Sequence, residues 1–123
     1  MFRGCVLAES LRTGVEMTLP GLPLVRIRRQ DMSGSSTPSQ PPVWTFLDFE
    51  VPDDRADELA VLLAHALSPD GGWYADYQSA TEHVVVFSGR WFRYDKGDDA
   101  ARAEAVDFGR AAGIPDHQLD WGE

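Results

Sequence analysis

The join at Pro52 constrains the fold more than any other feature of this sequence. Upstream of it, Val43-Trp44-Thr45-Phe46-Leu47-Asp48-Phe49-Glu50-Val51 alternates as a strand. Val43, Leu47, Phe49 and Val51 share one face with Thr45, while the other face begins apolar with Trp44 and Phe46 and ends acidic with Asp48 and Glu50. Downstream, Asp53 and Asp54 are candidate N-caps, Asp57 and Glu58 fall in the positive first turn, and Ala56, Leu59, Leu62, Leu63, Ala66 and Leu67 form one apolar stripe. Ser68-Pro69-Asp70-Gly71-Gly72 stops this helix. A helix that is apolar on one side only needs a sheet face to cover, so the unit predicts a layered α+β domain.

The rest of the chain supplies further strands and one more helix. Arg3 to Ala8, Val15 to Leu19 and Leu24 to Arg29 read as short extended segments, with turns at Thr13-Gly14 and Pro20-Gly21. Residues 1–30 are too few to bury a core alone and are expected to dock on the body at residues 43–123. Residues 31–42, rich in Ser, Gly and Pro, read as a flexible loop. Trp73 to Ser79 is the next strand, succeeded by a hairpin of Val84 to Phe87 and Trp91 to Tyr94 turning at Ser88-Gly89-Arg90. Alternation puts Val85, Phe87, Phe92 and Tyr94 on one face, and Val84, Val86, Trp91, Arg93 and Asp95 on the other. A second helix from about Asp99 to Ala112 carries the stripe Ala101, Ala105, Phe108, Gly109 and Ala112. Asp98 or Asp99 caps it, and Gly113-Ile114-Pro115 stops it in a Schellman turn. Leu119 and Trp121 are placed to fold the tail back onto the body. The expected architecture is a single α+β domain over residues 1–123. It is a two-layer sandwich with a mainly antiparallel sheet and both helices on one face, ferredoxin-like or a related split βαβ arrangement.

With 123 residues, 43% of them hydrophobic, the chain can build one core and is not disordered as a whole. Its formal charge of −9 repels phosphate backbones and anionic lipid, which argues against nucleic-acid and membrane-surface partners. The charge is divided: residues 1–42 carry a net +2, and the acidic body at residues 43–123 carries −11. Such opposite signs are expected to be matched within one fold. Cys5 is alone and cannot form an internal disulfide, which fits a reducing cytoplasm. The start of the chain lacks a long apolar run, so neither a secretory nor a lipoprotein signal is expected. No apolar run approaches the ~20 residues of a membrane helix.

Known catalytic patterns are not matched. His65, His83 and His117 have no metal-ligand spacing, and Ser88 lacks the first glycine of a nucleophile elbow. Phosphate-binding glycine motifs are absent, and Asp95-Lys96-Gly97-Asp98-Asp99 lacks calcium-loop spacing. No catalytic residue, metal or cofactor is therefore assigned. The candidate interface or ligand residues are Trp44, Phe46, Trp73, Tyr74, Asp76, His83, Trp91, Arg93, Tyr94 and Trp121. With both helices on one face, Trp44, Phe46, Val84, Val86 and Trp91 would point to an uncovered second face, and Asp76 would lie within reach of Arg93.

Gly72-Trp73-Tyr74-Ala75-Asp76, Val84-Val85-Val86-Phe87 with Phe92-Arg93-Tyr94, and Gly113-Ile114-Pro115 leading to Gln118-Leu119-Asp120-Trp121 resemble a pattern in small uncharacterised bacterial proteins. The resemblance covers about the C-terminal half and brings with it no activity, cofactor or catalytic residue. The absence of Asn and the single Lys96 fit a GC-rich bacterial genome. The leading expectation is a non-enzymatic cytoplasmic module that binds another protein or itself as a homodimer. A variant of that reading sets Asp48, Glu50, Asp76 and Asp120 against a basic partner. The alternative is a small-molecule binder or minor enzyme with a pocket at Tyr74, Asp76, His83, Arg93 and Tyr94.

Overall fold

In the computed structural model, which describes residues 1–18 and 23–121, the alternating segments become six strands. They are β1 (Phe2–Leu7), β2 (Leu24–Asp31), β3 (Val43–Val51), β4 (Ala75–Gln78), β5 (Glu82–Phe87) and β6 (Arg90–Asp95). Helix α1 (Ala56–Ala66) comes after β3, and α2 (Asp99–Ala111) after β6. The strands form one antiparallel sheet in the order β2-β3-β1-β4-β5-β6. β3 and β4 both run antiparallel to β1, so β3-α1-β4 is a split βαβ unit with β1 inserted between its strands. This insertion brings the N-terminal strand to the middle of the sheet.

The α+β class and the antiparallel sheet are as expected, but the helices lie on opposite faces. α1 buries Leu59, Ala60 and Leu63 with Phe2, Val6, Phe49, Val51, Tyr77, Val84 and Val86. α2 buries Ala105 with Val85, Phe87, Tyr94, Ile114, Leu119 and Trp121. Adjacent residues of one strand point to opposite sides, so Val84 and Val85 cannot lie under the same layer. The physical reason for the correction is legible in β5. Its run Val84-Val85-Val86-Phe87 is fully buried, as in a strand covered on both faces. Trp91 consequently packs at the α1 layer, whereas Trp44 and Phe46 lie on the α2 side of the sheet.

Three local expectations change. Val15 to Thr18 form no strand, and Met17 packs against the α1 core instead; Leu19 and the Pro20-Gly21 turn lie outside the described residues. Asp53 and Asp54 do not cap α1 with their side chains, because Asp53–Arg55 form a 3-10 turn that leads into the helix and whose Asp53 carbonyl accepts from the Ala56 N–H. Arg93 does not meet Asp76. It donates to Glu82 at 2.8 and 3.0 Å and to Asp57 of α1 at 2.8 Å, on the opposite face. The end of α2 obeys its sequence signal: Gly113 takes φ +93°, with the Ile114 N–H bonded to Gly109 O and the Gly113 N–H to Arg110 O. Beyond it, the tail returns to the sheet with Leu119 and Trp121 buried. No helix among the described residues is long and apolar enough to cross a membrane.

Candidate functional site

α2 and the tail cover the β5 and β6 end of one sheet face, leaving the strip over β3, β1 and β4 to be lined differently. Across that strip the register sets Asp48, Cys5 and Asp76 side by side, on three adjacent strands. Two adjoining cavities share this row at Cys5 and Asp76. One is an open cleft of ≈ 610 Å³ bordered by Arg3, Arg26, Asp48, Glu50 and Gln78. The other, ≈ 210 Å³, has Leu7, Trp44, Phe46, Trp73 and Tyr74 as apolar and aromatic wall, with Met32 and Ser35 from the loop and His117, Gln118 and Asp120 from the tail.

The walls of the smaller cavity are fixed by hydrogen bonds. Gln40 and Gln118 are buried and bond reciprocally, at 3.3 and 2.9 Å. Gln40 also donates to Gly71 O at 2.7 Å, and Gln118 to Ser35 O at 2.8 Å. The Trp44 indole donates to Pro41 O at 2.8 Å, and the Trp44 and Trp73 rings meet edge to face at 5.4 Å. Tyr74 donates to Gln118 O and packs its ring against Trp121 at 5.4 Å. Residues 31–42 and the tail are thus joined to each other and to the helix-to-strand turn at Gly71-Gly72. Such side-chain bonds to loop carbonyls satisfy backbone groups that would otherwise face an apolar wall.

Charge along the strip is unevenly compensated. Asp48 accepts two bonds from Arg28, at 2.9 and 3.1 Å, and one from Arg26 at 2.8 Å, and the Arg28 bonds hold its carboxyl below the usual range. The Arg28 guanidinium also stacks 4.5 Å from the Phe46 ring centre. Asp76 differs: among the described residues its carboxylate has no hydrogen-bond or ion-pair partner. Burial, and then the charge of Asp120, push it up to about 6. Burial, with Asp76 and Asp48 next, also pushes the Cys5 thiol up to about 11, so the thiol is protonated and unreactive at neutral pH.

Of the residues singled out in the sequence, Trp44, Phe46, Trp73, Tyr74 and Asp76 converge on this cavity. His83, Tyr94 and Trp121 line neither cavity and lie in the core under α2 and the tail, where the His83 ring packs 5.7 Å from Tyr94 and the Trp121 indole donates to the Tyr94 hydroxyl at 2.7 Å. Trp91 and Arg93 are on the α1 side and reach neither cavity. Cys5, Leu7, Met32, His117 and Gln118 were not expected at the site. They arrive there because β1 is inserted between β3 and β4 and because the loop and tail meet, and no local pattern encodes either event. Among the described residues no three His, Cys, Asp or Glu side chains are grouped to hold a metal ion. Comparison with protein-family models, curated proteins and solved structures finds no match.

Proposed function

We propose that this protein binds a small organic molecule in the cavity closed by residues 31–42 and the tail over β1, β3 and β4. One observation carries the reading: a half-buried carboxylate, Asp76, faces an aromatic-walled cavity and has no protein partner among the described residues. A buried charge without a partner costs free energy, and a ligand that pairs with it removes that cost. Binding is favoured over catalysis because the protonated Cys5, the core residue His83 and the exposed His117, bonded to Ser35 O, form no nucleophile and base set. A reducing cytoplasm suits the lone thiol. The test is a thermal-shift and tryptophan-fluorescence screen of chemically diverse small fragments. Saturable binders whose effect is lost on Trp73→Ala support the pocket; a full screen without one overturns it.

A second reading, self-association, is favoured by a separate observation. β2 is an edge strand with Leu24, Val25 and Ile27 exposed by 54, 57 and 60%, so the contact would run along β2 and not through the tryptophans.

A further inference from the structure

The walls of the smaller cavity restrict the chemistry of its ligand. Two carboxylates, Asp76 from β4 and Asp120 from the tail, face the ≈ 210 Å³ space, and each raises the cost of ionising Asp76 or Tyr74 nearby. No Arg or Lys among the described residues lines this cavity; Arg28, farther along the sheet, is engaged by Asp48 and covers Phe46. The remaining wall is mainly aromatic and aliphatic, with Trp44 and Trp73 in edge-to-face contact, and its other polar groups are Ser35, Gln118 and the exposed His117, whose ring nitrogen is bonded to Ser35 O. Aromatic faces attract cations and do nothing for anions, and carboxylates repel anions outright. A neutral ligand would satisfy the aromatic wall and leave Asp76 unpaired, whereas the exposed Asp120 has the Tyr74 hydroxyl 3.5 Å from its Oδ1.

We propose that the ligand is a small organic ammonium ion, whose charge sits at Asp76 and Asp120 and whose carbon shell packs on Trp44 and Trp73. The proposal rests on the pocket reading and adds the sign of the charge. The volume, below the ~300–1,000 Å³ common for ligand pockets, admits an amine of a few carbons and not a polyamine chain or a peptide. The guanidinium of Arg28, bonded to Asp48, already lies 4.5 Å from the ring centre of Phe46, another residue of this wall.

Calorimetry and tryptophan fluorescence on the full chain test it with choline chloride, its neutral carbon isostere 3,3-dimethylbutan-1-ol, and sodium chloride at matched ionic strength. Choline is expected to bind saturably, at least about tenfold more tightly than the isostere, and to lose about tenfold or more on Asp76→Asn. Asp76→Asn is expected to keep the fold, checked by a far-ultraviolet dichroism spectrum matching the parent's. If the isostere binds as well as choline, or Asp76→Asn leaves choline affinity unchanged, the cation assignment is overturned while the pocket reading stands. If neither probe nor any screened fragment binds, both fail together.

Discussion

Gly4 shows how one residue sets the spacing of the sheet. It lies between Phe49 on β3 and Tyr77 on β4, and the Phe49 and Tyr77 rings meet at 5.6 Å, edge to face, on the side of the sheet that α1 covers. A Cβ at this position would stand 2.2 Å from Asp76 O and 2.4 Å from Tyr77 Cβ, contacts with backbone or a side-chain base that cannot swing away. Gly4→Ala is expected to cost roughly 2–3 kcal/mol, the upper part of the overpacking range, read as a lower urea midpoint. Because Asp76 is the residue displaced, the variant should also disturb the cavity. Asp76 itself makes the opposite prediction. Its carboxyl titrates at about 6 in the fold against an ordinary 3.8, so between those values the folded state holds the extra proton. The ionised form therefore weakens the fold, and its contribution declines as pH rises through 6, by on the order of 3 kcal/mol when complete. Asp76→Asn should be as stable as the parent near pH 4 and more stable at pH 7.5, the gap opening between those values in denaturant titrations. A gap that does not change with pH would show that Asp76 is not strained.

Elements here obey their local signals more closely than their positions do. Asp98 caps α2, accepting from the Ala101 N–H at 3.1 Å, and Gly113 ends it, as the spacing of those residues predicts. Asp98→Ala should cost about 1 kcal/mol, with the near-ultraviolet signal of Trp121 weakened as the first turn of α2 frays. The face that α2 occupies was less legible. Its stripe of small residues around Phe108 specifies a partner surface of aromatic rings, and Phe87 and Phe92 supply one at 5.2 and 5.8 Å. Those rings share a side with Tyr94 and not with Val84, Val86 or Trp91, so the alternation of β5 and β6 already excluded a common face with α1. The run Val84-Val85-Val86-Phe87, apolar on both of its sides, requires a covering layer on each, which two helices on one face could not provide. Segment 31–42 illustrates the converse: Gln40 was unremarkable in sequence, yet its side chain ties that segment to Gly71 and Gln118.

At the scale of the molecule, the opposite charges of the two halves meet across β1, β2 and β3. Arg26 and Arg28 bind Asp48, and Arg3 lies 3.5 Å from Glu50, so the basic segment is compensated by the acidic body. The pairs made by the exposed Arg3 and Arg26 contribute little stability, about 0–1 kcal/mol each, while the part-buried, two-pronged Arg28–Asp48 pair holds β2 in register. What they leave uncovered is the outer edge with Leu24, Val25 and Ile27. If two copies pair there, the weight-average mass in sedimentation should rise with concentration. It should rise further with added salt, which screens the −9 charge each copy carries. Ile27→Lys should keep the protein monomeric under the same conditions. A mass independent of concentration and salt would remove this interface.

The sequence by itself determined where most chain segments are extended or helical, Val15 to Thr18 excepted, which side chains of a strand share a face, and how α2 begins and ends. These properties arise from backbone sterics, side-chain period and the unsatisfied groups of helix ends, all of which act within a few residues. Which strands are neighbours was decided only in the tertiary structure. Periodicity specifies the side a residue faces but not the strand beside it, since that choice depends on the burial gained by the whole sheet. Placing β1 between β3 and β4 put Cys5 between Asp48 and Asp76, and folding the tail back brought Asp120 to the same cavity. The four tryptophans and the acidic body were plain in the sequence. The fold made Trp44 and Trp73 into the wall of a pocket and left Asp76 inside it.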